Sequence, residues 1–101
     1  KLIRDAKVLE ECGVFGIVLE CIYSDVSKEI SNSIKIPTIG IGASINCDGQ
    51  VLVTDDILGL TNSNTKFVKK YANIRKTINS AVSKFKQEVK LKKYPSKKFS
   101  Y

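Results

Sequence analysis

The sequence lacks His, Trp and Met and contains few Cys or Pro residues. Without His, both the most common zinc ligand and the usual acid–base group at physiological pH are missing. The three cysteines, Cys12, Cys21 and Cys47, are odd in number and widely spaced, with no Cys-x-x-Cys pair. This pattern argues against a disulfide framework and a zinc site. It is compatible with a reducing cytosol, so we expect a cytoplasmic protein.

Long apolar segments are also missing. No run approaches the roughly 20 residues that a membrane helix needs, and residues 1–13 lack the charged stub and apolar core of a signal peptide. Because there is no initiator Met, we expect either a processed chain or a fragment of a longer one. The 101 residues suffice for one small domain with a modest core.

The formal net charge of +7 is unevenly distributed along the chain. Residues 1–60 carry no basic excess, and the surplus lysine lies between Lys66 and Lys98. One interpretation is a solvated helix face combined with a compositional bias towards lysine. The alternative is a small basic protein that binds nucleic acid or an acidic surface. We favour the first, because the lysines are not interleaved with stacking aromatics and no nucleic-acid-binding motif is present.

Apolar spacing predicts an alternation of helices and strands in the first half of the chain. The pattern indicates a helix over residues 2–12, with Gly13 as its C-terminal cap. Residues 14–20 then read as a buried strand that ends at Glu20. Ser24 or Asp25 is expected to cap a second helix, whose inner face carries the residues Val26, Ile30 and Ile34.

A second apolar strand, over residues 37–42, completes a βα repetition. Continuous apolar strands of this kind are typical of parallel sheets that are covered on both faces. Two such strands do not make a stable sheet by themselves. We therefore expect an α/β fold that forms part of a larger structure.

The second half is less regular. A polar loop with an Asp48-Gly49 turn signal follows the second strand, and residues 51–53 form a short extended piece. From Lys66 the apolar spacing is helical again, as one long helix or as two with a break near residues 72–76. Residues 92–101 are predicted to form a basic, extended tail.

Glu20 is the strongest candidate for chemistry. With a side-chain period of two, it shares one face of the strand with Gly16 and Val18. In parallel α/β folds the carboxyl ends of strands carry the active site. Apolar surroundings would raise the pKa of this carboxyl by desolvation, which suits a general acid or base. An ion pair with a Lys or Arg of a neighbouring strand explains the pattern equally well.

The remaining candidates have plainer explanations. The segment Gly40–Ser44 matches neither a G-x-G-x-x-G nor a Walker motif, and its glycines provide small faces or room for a ligand. Asp48, Asp55 and Asp56 lack EF-hand spacing, so we interpret them as turn residues and helix caps rather than as metal ligands. Cys21 has no His to activate it, which favours a small buried hydrophobe over a nucleophile.

Several sequence blocks together resemble one known family over nearly the whole chain. The blocks are Val18–Cys21, Ile36–Ala43, Asp48–Val53, Asp56–Leu60 and Lys66–Tyr71, with Asp5-Ala6 and Leu9-Glu10 before them and Tyr94-Pro95 after them. Their content and order resemble ketopantoate hydroxymethyltransferase (3-methyl-2-oxobutanoate hydroxymethyltransferase), and only its C-terminal portion. Tyr23 departs from the pattern, because the family usually has Pro at this position.

The resemblance implies that residues 1–101 are the C-terminal part of a single (β/α)8 TIM-barrel domain. It also implies a reaction, in which a hydroxymethyl group passes from 5,10-methylenetetrahydrofolate to 3-methyl-2-oxobutanoate to form ketopantoate in pantothenate biosynthesis. The family binds Mg²⁺, which stabilises the enolate of the keto acid, and it assembles into decamers.

The resemblance assigns the catalytic base to Glu20. The Mg²⁺ ligands and the substrate-binding Ser and Lys are expected in an N-terminal part that this sequence lacks, so no residue here is assigned to metal or cofactor. We therefore expect the chain to be inactive alone and to need either the rest of the barrel or a complementing N-terminal chain. No membrane partner is expected, and the partners implied are the keto acid, the folate and further copies of the protein.

Overall fold

The computed structural model describes all 101 residues and divides them into two compact units. The sheet unit comprises Lys1–Val53 and Asn64–Val68, and the helical unit comprises Thr54–Ser63 and Lys69–Tyr101. The sheet unit contains α1 (Leu2–Glu11), β1 (Ile17–Glu20), α2 (Ser24–Ser33), β2 (Thr38–Ile41) and β3 (Gly49–Gln50). The helical unit contains α3 (Thr54–Ile57), α4 (Ile74–Lys90) and a 3-10 turn at Lys97–Phe99. None of the helices is long and apolar enough to cross a membrane.

The three strands form one parallel sheet in the order β1-β2-β3. Leu19 pairs with Gly40, and Gly40 pairs in turn with Gln50. The prediction of an α/β fold with a parallel sheet is confirmed. The barrel itself stays a prediction, because these residues contain only a small sheet.

One face of the sheet is covered by α1 and α2. The core consists of five residues that are at most 8% exposed: Ala6, Leu19, Ile30, Ile34 and Cys47. The predicted inner face of α2 is therefore confirmed by Ile30 and Ile34. Burial of each large aliphatic side chain contributes about 1.5–3 kcal/mol, which fixes the helices on this face.

The other face of the sheet has no helical cover. Val18 is 62% exposed and pairs with Ile39, while Glu20 is exposed and pairs with Ile41. The prediction of a buried strand over residues 14–20 is therefore wrong in its length and its burial, since Phe15 lies outside β1 and is 96% exposed. The apolar composition is that of a strand buried on both faces, but the helices of the sheet unit cover only one.

The end of α1 is the predicted one. Gly13, at φ 83°, donates its N–H to the carbonyl of Glu10, and Val14 donates to that of Leu9. These two bonds form a Schellman motif, which satisfies carbonyls at the end of the helix. The start of α2 differs, because the N-cap is Tyr23 and not Ser24 or Asp25.

Helix α4 begins later along the chain than the sequence pattern predicts. Residues 66–73 are not helical, so the prediction of a helix from Lys66 is wrong. The N–H of Tyr71 donates to the carbonyl of Ile57 and that of Ile74 to the carbonyl of Leu58, which holds the residues directly before α4 against the end of α3. Asn73 then caps α4 by accepting a hydrogen bond of 3.1 Å from the N–H of Lys76.

The predicted extended tail is also wrong. The tail contains the 3-10 turn at Lys97–Phe99 and returns to α4 through aromatic contacts. The Phe85 and Tyr94 rings meet edge to face at 5.4 Å, and Tyr94 lies 6.1 Å from Phe99. Such pairs stabilise by about 0.5–1.5 kcal/mol beyond their buried area, which explains why this basic segment folds back.

Candidate functional site

Glu20 ends β1 at the edge where the parallel strands have their carboxyl ends. Its register partner is Ile41, the last residue of β2, so both strands stop at the same level. The side chain lies on the uncovered face of the sheet and is exposed. The predicted position is therefore observed, whereas the apolar enclosure expected around the carboxylate is not provided by this chain.

Cys21 turns the chain immediately after Glu20. It has a positive φ of 54°, an uncommon conformation for a residue other than glycine. Its N–H donates to the carbonyl of Ile41 at 2.9 Å, which continues the β1–β2 ladder by one bond. Cys21 is exposed, so its interpretation as a small buried hydrophobe is wrong. The chain therefore changes direction directly after Glu20.

Asp48 connects the entry of β2 to the loop before β3. One oxygen, Oδ2, accepts from the backbone N–H of Thr38 at 2.8 Å and from its hydroxyl at 3.0 Å. These bonds, the backbone one foremost, hold the pKa of Asp48 below its ordinary value. The interpretation of Asp48 as a structural residue of the loop is supported by this geometry.

Ser44 joins the loops that follow β1 and β2. Its Oγ accepts from the hydroxyl of Ser24 at 3.2 Å, and its carbonyl accepts from the side-chain amide of Gln50 at 2.8 Å. Ser44 is only 2% exposed. The loops at the carboxyl ends of the strands are therefore held together by polar contacts, as a ligand site requires.

A cavity of about 490 Å³ opens at these strand ends. We call it the strand-end cavity. Its lining comes from the segments after β1 and β2 and from the segment around Lys66: Cys21, Ile22, Tyr23, Ser24, Gly42, Ala43, Lys66 and Phe67. The volume lies in the range of small-molecule sites, and its position is the one at which parallel α/β folds bind ligands.

Gly42 allows Phe67 to form a wall of this cavity. A Cβ atom at Gly42 would lie 2.6 Å from Cγ of Phe67, and the residue has a positive φ of 61°. Both the space and the backbone conformation therefore require glycine. The sequence predicted small faces or ligand room for these glycines, and at Gly42 the space is taken by an aromatic ring.

A second cavity, of about 480 Å³, lies within the helical unit. Its lining is entirely polar or basic: Asn62, Asn73, Arg75, Lys76, Asn79, Ser80 and Ser83. It has no aromatic side chain on which a base could stack, in contrast to typical sites for single-stranded nucleic acid. This cavity therefore does not favour the nucleic-acid alternative.

Metal-ligating side chains do not come together in this chain. No group of three or more Cys, Asp or Glu residues is placed so that it could hold a metal ion. Asp55 and Asp56 lie in the first turn of α3, where carboxylates interact favourably with the helix dipole. The interpretation of these two residues as helix-terminal groups is supported.

Comparison with known protein families shows to which family the chain belongs. Residues 1–97 match the family described as ketopantoate hydroxymethyltransferase. The chain belongs to this family. Its members are transferases, so the predicted enzyme class is confirmed at the level of the family.

Individual ketopantoate hydroxymethyltransferases match the chain closely. Proteins named 3-methyl-2-oxobutanoate hydroxymethyltransferase are 58% identical in Pelagibacter ubique, 53% in Clostridium botulinum and 48% in Sulfolobus acidocaldarius. These alignments cover 99%, 100% and 94% of this chain but only 39%, 37% and 35% of the respective relatives. The chain thus spans less than two fifths of the length of these relatives.

Sequence reasoning finds Glu20 but misses the cavity beside it. In the sequence, Lys66 and Phe67 stand out only as part of a helical pattern and a family block, and Tyr23 only as a departure from the family. No local pattern could show that Phe67 meets Gly42, which lies far from it along the chain. The available signal was Gly42 itself, since a glycine at a strand end indicates close approach of another group.

Proposed function

We propose that this chain supplies part of the active site of a 3-methyl-2-oxobutanoate hydroxymethyltransferase, with Glu20 as the general base. The observation that carries the proposal is the position of Glu20 at the carboxyl end of β1, level with the end of β2 and on the uncovered face of the sheet. Active sites of parallel α/β barrels lie at this end of the strands.

The proposed chemistry begins with proton transfer. A carboxylate oxygen of Glu20 takes the proton from C3 of 3-methyl-2-oxobutanoate, which leaves an enolate. Water cleaves the methylene bridge of 5,10-methylenetetrahydrofolate, so that both C–N bonds break, its two hydrogens end on N5 and N10 of the released tetrahydrofolate, and its oxygen stays on the one-carbon unit as formaldehyde. The enolate carbon attacks the formaldehyde carbon, and the alkoxide that forms takes the proton from Glu20, which gives ketopantoate and restores the base.

The Mg²⁺ implied by the family resemblance does not fit a site in this chain. The side chains present form no cluster that could hold it. Its ligands would then belong to residues outside these 101.

We also propose that the sheet is one sector of a (β/α)8 barrel. Parallel sheets are almost always covered on both faces, yet the face that carries Val18, Glu20, Ile39 and Ile41 is uncovered here. In a barrel this face would point to the interior, where further strands would enclose Glu20. The short share of the relatives' length that the chain spans supports this proposal.

A chimeric enzyme tests the proposal. In the chimera, this chain replaces the matching segment of the Pelagibacter ubique relative, to which it is 58% identical. We expect ketopantoate formation in the presence of the keto acid, 5,10-methylenetetrahydrofolate and Mg²⁺. Glu20→Gln in the chimera should lower kcat by at least about a hundredfold, because loss of a general base typically costs 10²–10⁴-fold. Its melting temperature should not change.

Glu11→Gln is the matched control, since Glu11 is also exposed but is the last residue of α1 and does not line the strand-end cavity. It should retain full turnover. A fully active Glu20→Gln chimera would remove Glu20 from the mechanism, and a folded chimera without turnover would contradict the proposed function.

A further inference from the structure

We propose that the segment after α4 binds single-stranded nucleic acid, with an unpaired base stacked on Phe99 and its phosphate held by Lys98. The site lies wholly within the helical unit. It is independent of the proposed function, because it shares no residue with the strand-end cavity and does not involve Glu20.

The fold-back of the tail brings aromatic rings together. The N–H of Lys93 donates to the carbonyl of Glu88 at 2.8 Å, which turns the chain back towards α4. The ring of Tyr94 then lies between those of Phe85 and Phe99, at centroid distances of 5.4 Å and 6.1 Å. Phe99 nevertheless stays 62% exposed, so this ring retains a face on which a ligand can stack.

The rings line a cavity of about 320 Å³, which we call the tail cavity. Its lining consists of Tyr94, Lys98, Phe99, Ser100 and Tyr101. The volume lies at the lower end of the range of small-molecule sites, which suits a single base rather than a folded polymer. Because every base has a π-face, aromatic walls of this kind accept bases with little regard to sequence.

The charge around the tail cavity favours an anionic ligand. Residues 84–101 contain seven lysines and only one acidic residue, Glu88. The Nζ atom of Lys98 lies 5.7 Å from the centroid of the Phe99 ring, so a cation is adjacent to the stacking surface. A lysine ammonium is a strong point charge for a phosphate. The site therefore combines the stacking platform and the positive charge that single strands require.

The shape of the site favours a single strand over other anionic partners. A duplex keeps the faces of its bases inside the stack, where the Phe99 ring cannot reach them. An acidic membrane surface is the other partner expected for a basic amphipathic helix such as α4. The rings of Tyr94 and Phe99 lie outside that helix, however, and line a concave site. The sequence pattern disfavoured nucleic acid because these rings meet only when the tail folds back.

Binding of a short labelled oligouridylate to the 101-residue chain, measured by fluorescence anisotropy, tests the proposal. Phe99→Leu removes an exposed ring without opening the core, and should raise the Kd by at least about fivefold. Lys98→Gln should reduce the slope of log K against log salt concentration by about 0.7, the effect of one phosphate contact on a single strand. Binding should also quench tyrosine fluorescence, because two of the four tyrosines line the tail cavity.

Tyr71→Leu and Lys69→Gln are the matched controls. Tyr71 and Lys69 form an exposed pair at 5.0 Å in the same unit and do not line the tail cavity, so both variants should bind oligouridylate as the parent does. Inorganic polyphosphate, which carries charge without bases, should bind Phe99→Leu as tightly as it binds the parent.

Three results would overturn the proposal. The first is binding of oligouridylate by Phe99→Leu with the affinity of the Tyr71→Leu control. The second is equal binding of a duplex of the same length, which would leave charge alone as the cause. The third is binding of phosphatidylserine vesicles without binding of oligouridylate, which would assign the surface to membranes.

Discussion

Thr38 uses its full hydrogen-bonding capacity to hold the start of β2. Its hydroxyl donates to Asp48 and accepts from the N–H of Asp48 at 3.3 Å. Because the only hydroxyl proton is engaged with Asp48, the 2.8 Å contact with Ser31 must have Ser31 as its donor. The hydroxyl of the fully buried Thr38 therefore has a hydrogen-bond partner for its proton and for its oxygen, and Asp48 supplies the acceptor for the proton.

The Asp48–Thr38 bonds predict a pH dependence of stability. Since these bonds lower the pKa of Asp48 in the folded state, its ionised form stabilises the fold above the unfolded-state pKa of about 3.9. That contribution is lost as the pH falls through the lower, folded-state pKa. Asp48→Asn should therefore reduce the urea midpoint of the chimera at pH 6, and the difference from the parent should shrink below about pH 4.

Asp55→Asn makes the same change at an exposed aspartate of α3 and serves as the control. It should leave the pH profile of the urea midpoint parallel to that of the parent. An Asp48→Asn profile that also runs parallel would show that the Thr38 bonds do not depend on the charge.

At the scale of elements, two glycines with positive φ allow the energetic cost of backbone strain to be compared with the cost of steric crowding. Gly13, after α1, has φ 83° and open space where a Cβ atom would lie, whereas Gly42, after β2, has φ 61° and the Phe67 ring within 2.6 Å of that position. We expect Gly13→Ala to cost about 1–2 kcal/mol from the left-handed backbone alone. Gly42→Ala should cost roughly 2–5 kcal/mol, because displacement of Phe67 adds an overpacking cost.

Both costs are measured as changes in the free energy of unfolding of the chimera by urea titration. The paired variant Gly42→Ala with Phe67→Ala provides the control, since removal of the ring should bring the cost of the alanine down towards that of Gly13→Ala. Equal costs for the two single variants would contradict the close packing of Phe67 on Gly42.

Local periodicity predicted the elements well where their determinants are local. The helical spacing before Gly13 and the inner face of α2 followed from side-chain pattern and backbone capping, as did the two parallel strands. The segment at 66–73 was mispredicted because the N–H groups of Tyr71 and Ala72 donate to the carbonyl of Ile57, a distant contact that sequence periodicity does not report. The exposure of Glu20 was mispredicted for a related reason, since the sequence pattern does not say which residues cover a strand.

The three residues of the Asp48-Gly49-Gln50 block each have a structural role in the sheet unit. In the Asp48-Gly49-Gln50 block, Asp48 clamps Thr38, and Gly49 leaves room for Cδ1 of Ile39, 2.8 Å from where its Cβ would lie. Gln50 reaches across to the carbonyl of Ser44. All three residues therefore act in holding β3 and the strand-end loop on β2, and their role is positioning rather than chemistry.

For the whole molecule, the uncovered sheet face is the dominant feature. It carries Val18, Ile39 and Ile41 together with the one proposed catalytic group, Glu20. Both β1 and β3 are also edge strands, with backbone groups available for further pairing. The physical chemistry of a parallel sheet and the placement of the proposed base therefore lead to the same requirement, namely additional strands that complete the sheet and enclose the site.

This requirement predicts complementation between two polypeptides. The 101-residue chain alone should show no ketopantoate formation and should bind the dye ANS through its uncovered face. Co-expression with the Pelagibacter ubique relative lacking its matching segment should restore turnover and remove the dye binding. Val18→Lys places a charge on the uncovered face and should block assembly, whereas Val8→Lys, at a 50% exposed position of α1, should not. Turnover by the chain alone would show that the uncovered face needs no further strands. Normal assembly of the Val18→Lys variant would show the same, because the interior of a completed barrel could not accommodate a buried lysine without a partner.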